Sequence, residues 1–308
     1  GQPNSFDVVE LGSGNGKLCR DILDYANHIS REFYDAIKYV CVDVRPLTFE
    51  DLSDHETKIQ FINLEQLLVS KIQGCILSNE FFDALPIDRV YRGKDEWSEI
   101  KVEWSETGLR DVYVPLLEGP VLSQIYKWGL NIPEGYIAEV STISESMVAR
   151  LERILDNGFI LTIDYGDLSE DLYSNPIRKH GTIRSFKNNV QVANVLDGPG
   201  TQDITSHVNF SMLIEKGLDV GLKLEEFISQ RTFMMDLGSE WMLKKLEKGS
   251  LERSIYILNK RRIESLLDES GLGGFKVLVQ SKNATLINDF LVKDSSKRLK
   301  VPILNGQV

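Results

Sequence analysis

The sequence predicts an α/β fold built on a doubly wound, mostly parallel sheet. Short apolar runs alternate with helical patterns in the first half of the chain, which is typical of βαβ units. A glycine-rich turn follows the first predicted strand and precedes the first predicted helix. Acidic residues end several predicted strands, where ligands bind in open parallel sheets. These three observations indicate a ligand site at the carboxyl ends of the strands.

The predicted strands of the first half are short and apolar, and lie at 7–11, 39–44, 59–62 and 75–78. Apolar residues recur at close to helical spacing over 17–36 and predict one crossover helix. From Asp88 to Val114, polar and apolar residues alternate between turns near Gly93 and Gly108, which predicts an inserted antiparallel hairpin. A helix at about 143–157 and a strand at 159–164 then resume the βα pattern.

The second half of the chain is harder to assign. A loop-rich stretch from 167 to about 209 is expected to be a lid or binding loop, because structureless segments of that length are unusual in compact proteins. Helices near 211–222, 235–248 and 255–270 precede a final strand at 275–280. The chain is expected to form a single domain over 1–308, with insertions at about 88–135 and 167–250.

Composition limits the possible partners. The chain has 308 residues, of which 42% are hydrophobic and 26% charged, so it can bury a sizeable core. A formal net charge of −11 disfavours a general binder of nucleic acid or anionic membrane, because no basic surplus is available to neutralise phosphates. No apolar run approaches the roughly 20 residues that span a bilayer. The widely spaced Cys19, Cys41 and Cys75 predict reduced, buried thiols.

The strongest local signal is the segment ELGSGNG, in which three glycines at alternate positions follow an acidic strand end. Glu10 ends the strand, and Gly12, Gly14 and Gly16 give the backbone the freedom to reverse and to approach a ligand. A dinucleotide site would need another glycine where Lys17 stands, which disfavours a nicotinamide-dependent oxidoreductase. The alternative is a plain strand-to-helix connection.

A second acidic residue, Asp43, ends the second predicted strand. Its carboxylate could accept hydrogen bonds from both hydroxyls of a ribose. Because Glu10 and Asp43 both stand at strand ends, a plain structural turn is a weaker interpretation of the glycine segment than a ligand site.

Carboxylates also follow the fourth strand. Ser78 ends that strand, Asn79 follows it, and Glu80 and Asp83 come next, three residues apart. On a helical turn this spacing would place both carboxylates on one face, where they could clamp a cationic acceptor and remove a proton. They could equally cap a helix. Asp164 ends the strand at 159–164 and could orient the acceptor or cap the following loop.

Polar side chains are dense beside the glycines of the long loop. His180, Arg184, Asp203 and His207 are candidate substrate-binding residues, and an ordinary surface loop is the alternative. The four histidines of the chain show no metal-ligand spacing, and no Gly-x-Ser-x-Gly elbow occurs, so a zinc enzyme or a serine hydrolase is not expected.

These segments together resemble the MidA-like family of class I, Rossmann-like S-adenosylmethionine-dependent methyltransferases, which includes a mitochondrial complex I assembly factor that methylates a protein arginine. The resemblance covers nearly the whole chain. Its blocks are ELGSGNG at 10–16, SNEFFDALPI at 78–87, IDYG at 163–166, HGTIR at 180–184, GPGTQDITSHVNF at 198–210 and GLGGFKVLVQ at 271–280. The helical region that precedes the first strand in the family is expected to be missing here.

The resemblance implies roles for the residues named above. S-adenosylmethionine would be bound by Glu10, Gly12, Gly14, Gly16, Asp43, Ser78 and Asn79. Glu80, Asp83 and Asp164 would act on the acceptor, with no metal. The partner would be a client protein carrying an arginine, with neither nucleic acid nor membrane insertion involved and a homodimer possible. The expected location is the cytoplasm of a bacterium or archaeon, or the mitochondrial matrix of a eukaryote.

Two other functions stay open at this point. One is methylation of a small molecule or lipid-derived acceptor. The other is a non-catalytic assembly factor that keeps the fold and binds a client protein without transferring a methyl group.

Overall fold

A computed structural model describes residues 4–44, 53–188, 190–249 and 252–285. The chain forms two compact units. The first unit consists of Gly1–Asn79, Leu151–Ile163 and Gly221–Val308, and the second consists of Glu80–Arg150 and Asp164–Val220, as far as these ranges are described.

The described strands, in chain order, are β1 (Phe6–Leu11), β2 (Ile37–Val42), β3 (Ile59–Ile62), β4 (Ile72–Asn79), β5 (Asp88–Arg92), β6 (Trp97–Ser105), β7 (Gly108–Pro115), β8 (Ile137–Val140), β9 (Leu155–Asp164), β10 (Gly166–Asp167), β11 (Arg184–Lys187), β12 (Val190–Val192), β13 (Asp203–Thr205), β14 (Val208–Asn209), β15 (Lys223–Ser229) and β16 (Lys276–Lys282). The described helices are α1 (Lys17–Ile29), α2 (Arg31–Ala36), α3 (Leu64–Leu67), α4 (Pro120–Lys127), α5 (Thr142–Ile154), α6 (Ser169–Ser174), α7 (Phe210–Asp219), α8 (Gln230–Asp236), α9 (Ser239–Lys248) and α10 (Arg253–Leu267).

The first unit is organised around a mostly parallel sheet. Within the described residues its strand order is β15-β16-β9-β4-β1-β2-β3. β1 pairs in parallel with β2 and β4, β2 with β3, and β4 with β9, whereas β15 is antiparallel to β16. The predicted fold class is therefore confirmed. The carboxyl ends of β1 and β2 lie side by side, which positions the glycine segment next to Asp43.

Apolar side chains of β1, β2 and α1 form the core of this part of the first unit. Leu23 of α1 and Tyr39 of β2 are fully buried, and Val8 of β1 packs with them. Burying one such side chain contributes roughly 1.5–3 kcal/mol. Cys19 and Cys41 belong to the same cluster and are free, buried thiols, as predicted.

Several predicted boundaries change in the first unit. The crossover helix predicted over 17–36 is two helices, because Ser30 is extended with φ −159°. The Ser30 hydroxyl accepts the Phe33 N–H at 3.2 Å and so begins α2 as a cap. The predicted helix over 143–157 ends earlier, at Ile154, because the fully buried Leu155 already belongs to β9.

The second unit contains an antiparallel sheet with the order β7-β6-β5-β8 among its described residues. The antiparallel segment predicted over Asp88–Val114 is present as three strands: β5 pairs with β6 across the turn at Gly93, and β6 pairs with β7, with Ser105 opposite Gly108. The structure adds β8, which pairs with β5 and places Val140 opposite Asp88. β8 escaped prediction because it has four residues and follows α4, far from its partner in sequence.

The stretch from 167 to about 209 is more ordered than the sequence suggested. It contains α6, a short parallel pair of β10 with β14, and a three-stranded sheet in the order β12-β11-β13. Its strands have two to four residues, too few for a periodic pattern to be recognisable.

The last part of the chain differs from prediction in two places. β15 was not predicted, because Lys-Leu-Glu-Glu consists of good helix formers, and its pairing with β16 overrides that preference. The helix predicted over 235–248 is α8 followed by α9, and the break lies at Gly238, whose φ is +101°. The final strand is found at Lys276–Lys282.

Two negative findings apply to the part of the chain that the structure describes. No helix there combines the length and the apolarity that crossing a membrane requires. Nor do three or more His, Cys, Asp or Glu side chains converge there in a way that could hold a metal ion.

Candidate functional site

The glycine segment of the first unit folds as a tight turn between β1 and α1. Gly12, Gly14 and Gly16 have φ values of +69°, +54° and +73°, a region that side chains with a Cβ rarely adopt. The Gly12 N–H donates to the Val42 carbonyl at 2.8 Å, which ties the turn to β2. The Asp43 carboxylate accepts the Gly14 N–H at 2.9 Å. The structure therefore brings together the two motifs that the sequence placed at neighbouring strand ends.

Glu10 lies beneath this turn and is almost completely buried. Its carboxylate accepts the Tyr39 hydroxyl at 2.8 Å. Burial raises the pKa of Glu10 to about 7, the negative charge of Asp43 adds to the rise, and the bond from Tyr39 opposes it. Glu10 is thus a buried carboxyl group that joins the end of β1 to β2 through Tyr39.

The pKa of Glu10 predicts a specific pH dependence. Because the pKa is raised from 4.5 to about 7 on folding, the stabilising contribution is complete below pH 4.5 and is lost as the pH rises through 7. The loss amounts to roughly 3 kcal/mol, at about 1.4 kcal/mol per pKa unit. We therefore expect the free energy of unfolding of the native protein to fall between pH 4.5 and 7 relative to that of Glu10→Gln. Denaturant titrations at several pH values measure it, and parallel pH profiles would contradict the assignment.

The residues around the turn fit an adenosyl cofactor. The hydroxyls of Ser13 and Ser78 are buried, and neither has a hydrogen-bond partner among the described residues. Buried polar groups are normally paired, so two orphan hydroxyls at one set of strand ends point to a polar ligand. A Cβ at Gly14 would meet only the Gly12 carbonyl, at 3.9 Å, so the turn has space on that side. Asn79 is exposed at the end of β4.

Replacing Gly14 by valine is expected to weaken binding of S-adenosylhomocysteine by about tenfold or more, a loss of about 1.4 kcal/mol. The added side chain would fill the space beside the turn and strain a backbone with φ +54°. Gly129→Val is the matched control, because Gly129 has φ +57°, has nothing within 4 Å of its Cβ position, and lies in the second unit. Titration calorimetry measures both variants. Equal affinities in both would show that the glycine turn does not contact the cofactor.

The carboxylates after β4 do not lie on a helical turn. The segment is irregular, and Glu80 has φ +51°, which is strained for a residue with a side chain. Glu80 is exposed, whereas Asp83 is 4% exposed. The prediction that helical spacing places both carboxylates on one face is therefore wrong, because the segment is not helical.

Asp83 is a buried carboxylate of the second unit. Its Oδ2 accepts the Tyr165 hydroxyl, and its carbonyl accepts the Ser206 N–H at 3.0 Å. Its Oδ1 is buried and has no hydrogen-bond partner in the described residues. Burial raises the pKa of Asp83, and the bond from Tyr165 and the backbone amides of Ala84 and Asp83 oppose the rise.

Asp164 holds the backbone around Asp83. It is completely buried, and its Oδ2 accepts the N–H groups of Phe82 at 3.0 Å and Asp83 at 3.3 Å. Its Oδ1 accepts the Tyr165 N–H at 2.9 Å. Burial raises the pKa of Asp164 well above its usual value, and the charge of Asp83 adds to the rise. Its contacts thus match the alternative in which it caps a loop.

His207 is the candidate substrate residue that the structure places beside this cluster. Its ring packs edge-on against Tyr165, with centroids 5.6 Å apart, and its backbone N–H donates to the Thr182 hydroxyl at 3.0 Å. Burial, reinforced by the charge of Arg178, lowers the pKa of His207 to about 4, so the imidazole is neutral at pH 7. Its buried Nδ1 has no partner among the described residues.

The other three candidates lie at the surface of the second unit. His180, Arg184 and Asp203 are exposed. Arg184 donates to the Ile183 carbonyl at 2.7 Å, and Asp203 pairs with Phe186 between β13 and β11. These three residues are thus more exposed than Asp83, Tyr165 and His207, although the charge of Arg184 still helps to lower the pKa of His207.

Glu139 is an important residue that sequence reasoning missed. Its carboxylate accepts the Thr182 N–H at 2.9 Å and the Thr182 hydroxyl at 3.0 Å. Gly181 has φ +80°, and a Cβ there would lie 2.2 Å from Glu139 Oε1. The buried carboxylate of Glu139 on β8 thus holds the loop that contains His180 and Thr182. The sequence signal was a lone acidic residue inside the apolar run Ile-Ala-Glu-Val.

A small cavity of about 20 Å³ lies inside the second unit. The side chains of Gln124, Trp128, Glu139 and His207 are among those that line it. The volume suits one water molecule and is too small for an acceptor side chain. The cavity is therefore not the acceptor site as it stands.

A comparison with protein families matches residues 1–228 to a family described as "Putative S-adenosyl-L-methionine-dependent methyltransferase". Among curated proteins, "Protein arginine methyltransferase NDUFAF7, mitochondrial" of Danio rerio is 26% identical over 266 residues, which cover 77% of this chain and 60% of that protein. The Homo sapiens protein of the same name is 25% identical over 289 residues, covering 83% of this chain and 61% of its own length. The chain thus spans about 60% of the length of these relatives.

The fold also matches solved structures. A COG1565 superfamily member from Burkholderia thailandensis bound to S-adenosyl-homocysteine superposes with a TM-score of 0.78 at 23% identity, covering 92% of this chain and 73% of that chain. A native crystal structure of a COG1565 superfamily protein from the same organism gives a TM-score of 0.79 at 23% identity, covering 92% and 76%. At this identity the match establishes the fold.

Proposed function

The chain belongs to the MidA-like family of S-adenosylmethionine-dependent methyltransferases, and on that premise we propose that it methylates an arginine side chain of a client protein. The names of the curated relatives support this acceptor. The structural observation that carries the proposal is the buried carboxylate of Asp83, which is fixed on one oxygen and has no partner on the other.

The strand ends of the first unit would hold the cofactor. The backbone of Gly12, Gly14 and Gly16 would contact it, and the orphan hydroxyls of Ser13 and Ser78 would supply polar contacts. Asp43 would accept hydrogen bonds from the ribose while keeping its bond to the Gly14 N–H. When bound, the cofactor supplies an electrophilic methyl group on a sulfonium.

The acceptor requires an anion and a base. A guanidinium carries five N–H donors, has no acceptor and stays protonated at neutral pH. Asp83 Oδ1 can accept one of those N–H groups. When the acceptor nitrogen gains the methyl group it must release one proton, which Asp83 can take, and burial makes Asp83 a stronger base than an exposed aspartate.

The remaining candidate residues have supporting roles in this proposal. Asp164 fixes the backbone of Asp83. Glu80 lies three residues before Asp83, and it is exposed on a strained backbone. It would add negative charge that attracts a cationic acceptor. His207, whose imidazole is neutral at pH 7, would line the acceptor site without adding charge. The exposed His180, Arg184 and Asp203 would contact the client surface.

Release of S-adenosylhomocysteine tests the proposal against its alternatives. The purified protein is incubated with S-adenosylmethionine and either the protein fraction or the small-molecule and lipid fractions of a cell extract. We expect release with the protein fraction and no release after that fraction is treated with protease. Release with only the other fractions would support a small-molecule or lipid-derived acceptor. Cofactor binding without release in any fraction would support a non-catalytic assembly factor.

A further inference from the structure

Three separate segments of the second unit converge on Asp83. The first is its own loop, whose N–H groups at Phe82 and Asp83 donate to Asp164. The second is Asp164 with Tyr165, which directly follows it. The third contributes the Ser206 N–H, which donates to the Asp83 carbonyl at 3.0 Å. The peptide groups on both sides of the Asp83 Cα are thus fixed, so the direction of its side chain depends on what contacts the carboxylate.

The two oxygens of that carboxylate have different surroundings. Oδ2 accepts the Tyr165 hydroxyl, whereas Oδ1 is buried without a partner among the described residues. An unpaired buried acceptor is costly, so a protein that keeps one commonly uses it. Tyr165 itself is held by the bond from its N–H to Asp164 and by the His207 ring.

We propose that Tyr165 is the positioning residue of the acceptor site, with its hydroxyl holding Asp83 Oδ2 so that the unpaired Oδ1 receives an N–H of the acceptor group. This inference rests on the proposed function, because it takes Asp83 as the carboxylate that binds the acceptor. It deepens that function in one respect. The two oxygens take different tasks, because Tyr165 holds Oδ2 and the unpaired Oδ1 receives the acceptor.

Tyr165 also favours the ionised form of Asp83. A hydroxyl that donates to a carboxylate stabilises its negative charge, which opposes the effect of burial. Burial and the bond to Asp83 raise the pKa of Tyr165, so the phenol keeps the proton that it donates. The other titratable groups around Asp83 are Asp164, whose charge acts against ionisation, Glu80 in the same loop, and the neutral His207 on the far side of Tyr165.

The Tyr165→Phe substitution separates positioning from packing. It removes the hydroxyl and keeps the ring that contacts His207. Tyr173→Phe is the control, because Tyr173 lies in the same unit, is buried, and has a hydroxyl that donates to the Glu139 carbonyl at 3.1 Å. Each substitution removes one hydroxyl group and leaves the aromatic ring in place.

The experiment follows the titration of Asp83 by NMR in protein labelled with ¹³C at aspartate carboxyls, with the signal assigned from Asp83→Asn. We expect Tyr165→Phe to raise the pKa of Asp83 by about one unit, and Tyr173→Phe to leave it unchanged. In the methyl-transfer assay, the acid limb of the kcat/KM profile should move to higher pH in the same variant. An unchanged Asp83 titration in Tyr165→Phe would overturn the inference.

A second substitution strengthens the same hydrogen bond instead of removing it, and it can be used if Tyr165→Phe does not fold. Incorporation of 3-fluorotyrosine at position 165 makes the phenol a stronger donor, and we expect it to lower the pKa of Asp83. A rise or no change would contradict the inference. The titration needs neither acceptor nor cofactor, so its failure is distinguishable from failure of the proposed function, which would appear as absent S-adenosylhomocysteine release.

Discussion

Replacing Gly158 by alanine is expected to destabilise the first unit by about 4 kcal/mol or more, which exceeds the usual effect of a single substitution. Gly158 pairs with Gly74 across β9 and β4, and Gly74 pairs with Asp7 of β1. A Cβ at Gly158 would lie 1.9 Å from the Gly74 carbonyl oxygen, and φ there is +139°. Because the clash is with backbone, only separation of two paired strands would relieve it.

Thermal and denaturant unfolding measure this effect, and we expect the melting temperature to fall by on the order of 10 °C. Gly221→Ala is the matched control, because Gly221 lies in the same unit, has φ +98° and has nothing within 4 Å of its Cβ position. Its expected cost is the backbone strain alone, roughly 1–2 kcal/mol. Equal losses in the two variants would show that close strand packing does not require glycine at 158.

The Asp83→Asn substitution is expected to lower the rate of methyl transfer by roughly 10²–10⁴-fold, the usual contribution of a general base. Asparagine keeps the size of the side chain and can still accept the Tyr165 hydroxyl, but it has no charge for the acceptor and no basic oxygen for the proton. The fold and the cofactor turn should be unaffected, because asparagine preserves both backbone contacts at position 83.

The measurements are S-adenosylhomocysteine release and calorimetric binding of S-adenosylhomocysteine to the variant. Asp95→Asn is the control, since Asp95 is exposed at the turn between β5 and β6 in the same unit. We expect full transfer in Asp95→Asn and unchanged cofactor affinity in both variants. Transfer at the native rate in Asp83→Asn would remove Asp83 from the mechanism, and lost cofactor affinity would reassign it to cofactor binding.

Features that depend on local sequence were predictable. The glycines at 12, 14 and 16 and the acidic residues Glu10 and Asp43 each stand at the end of a strand that its own apolar run marks, and the structure brings Asp43 to the glycine turn. The parallel sheet was predictable for the same reason, because each strand carries its own apolar pattern.

Features that depend on distant contacts were not predictable from one sequence. The hydrogen bond between Tyr165 and Asp83 joins residues that are 82 positions apart in sequence. The hydrogen bond between Glu139 and Thr182 joins residues that are 43 positions apart. Spacing alone suggested that Glu80 and Asp83 work as a pair, yet tertiary contacts bury one and expose the other. Single glycines inside the strands at 74 and 158 were a usable sign of close backbone approach.

The location of a transferred methyl group tests most directly whether the protein methylates an arginine side chain. The native protein and Asp83→Asn are each incubated with methyl-deuterated S-adenosylmethionine and the protein fraction of cells that lack the gene, and labelled peptides are identified by mass spectrometry. We expect deuterated methyl groups on an arginine side chain with the native protein and little or none with Asp83→Asn. Label on another residue type, or equal labelling by both proteins, would contradict it.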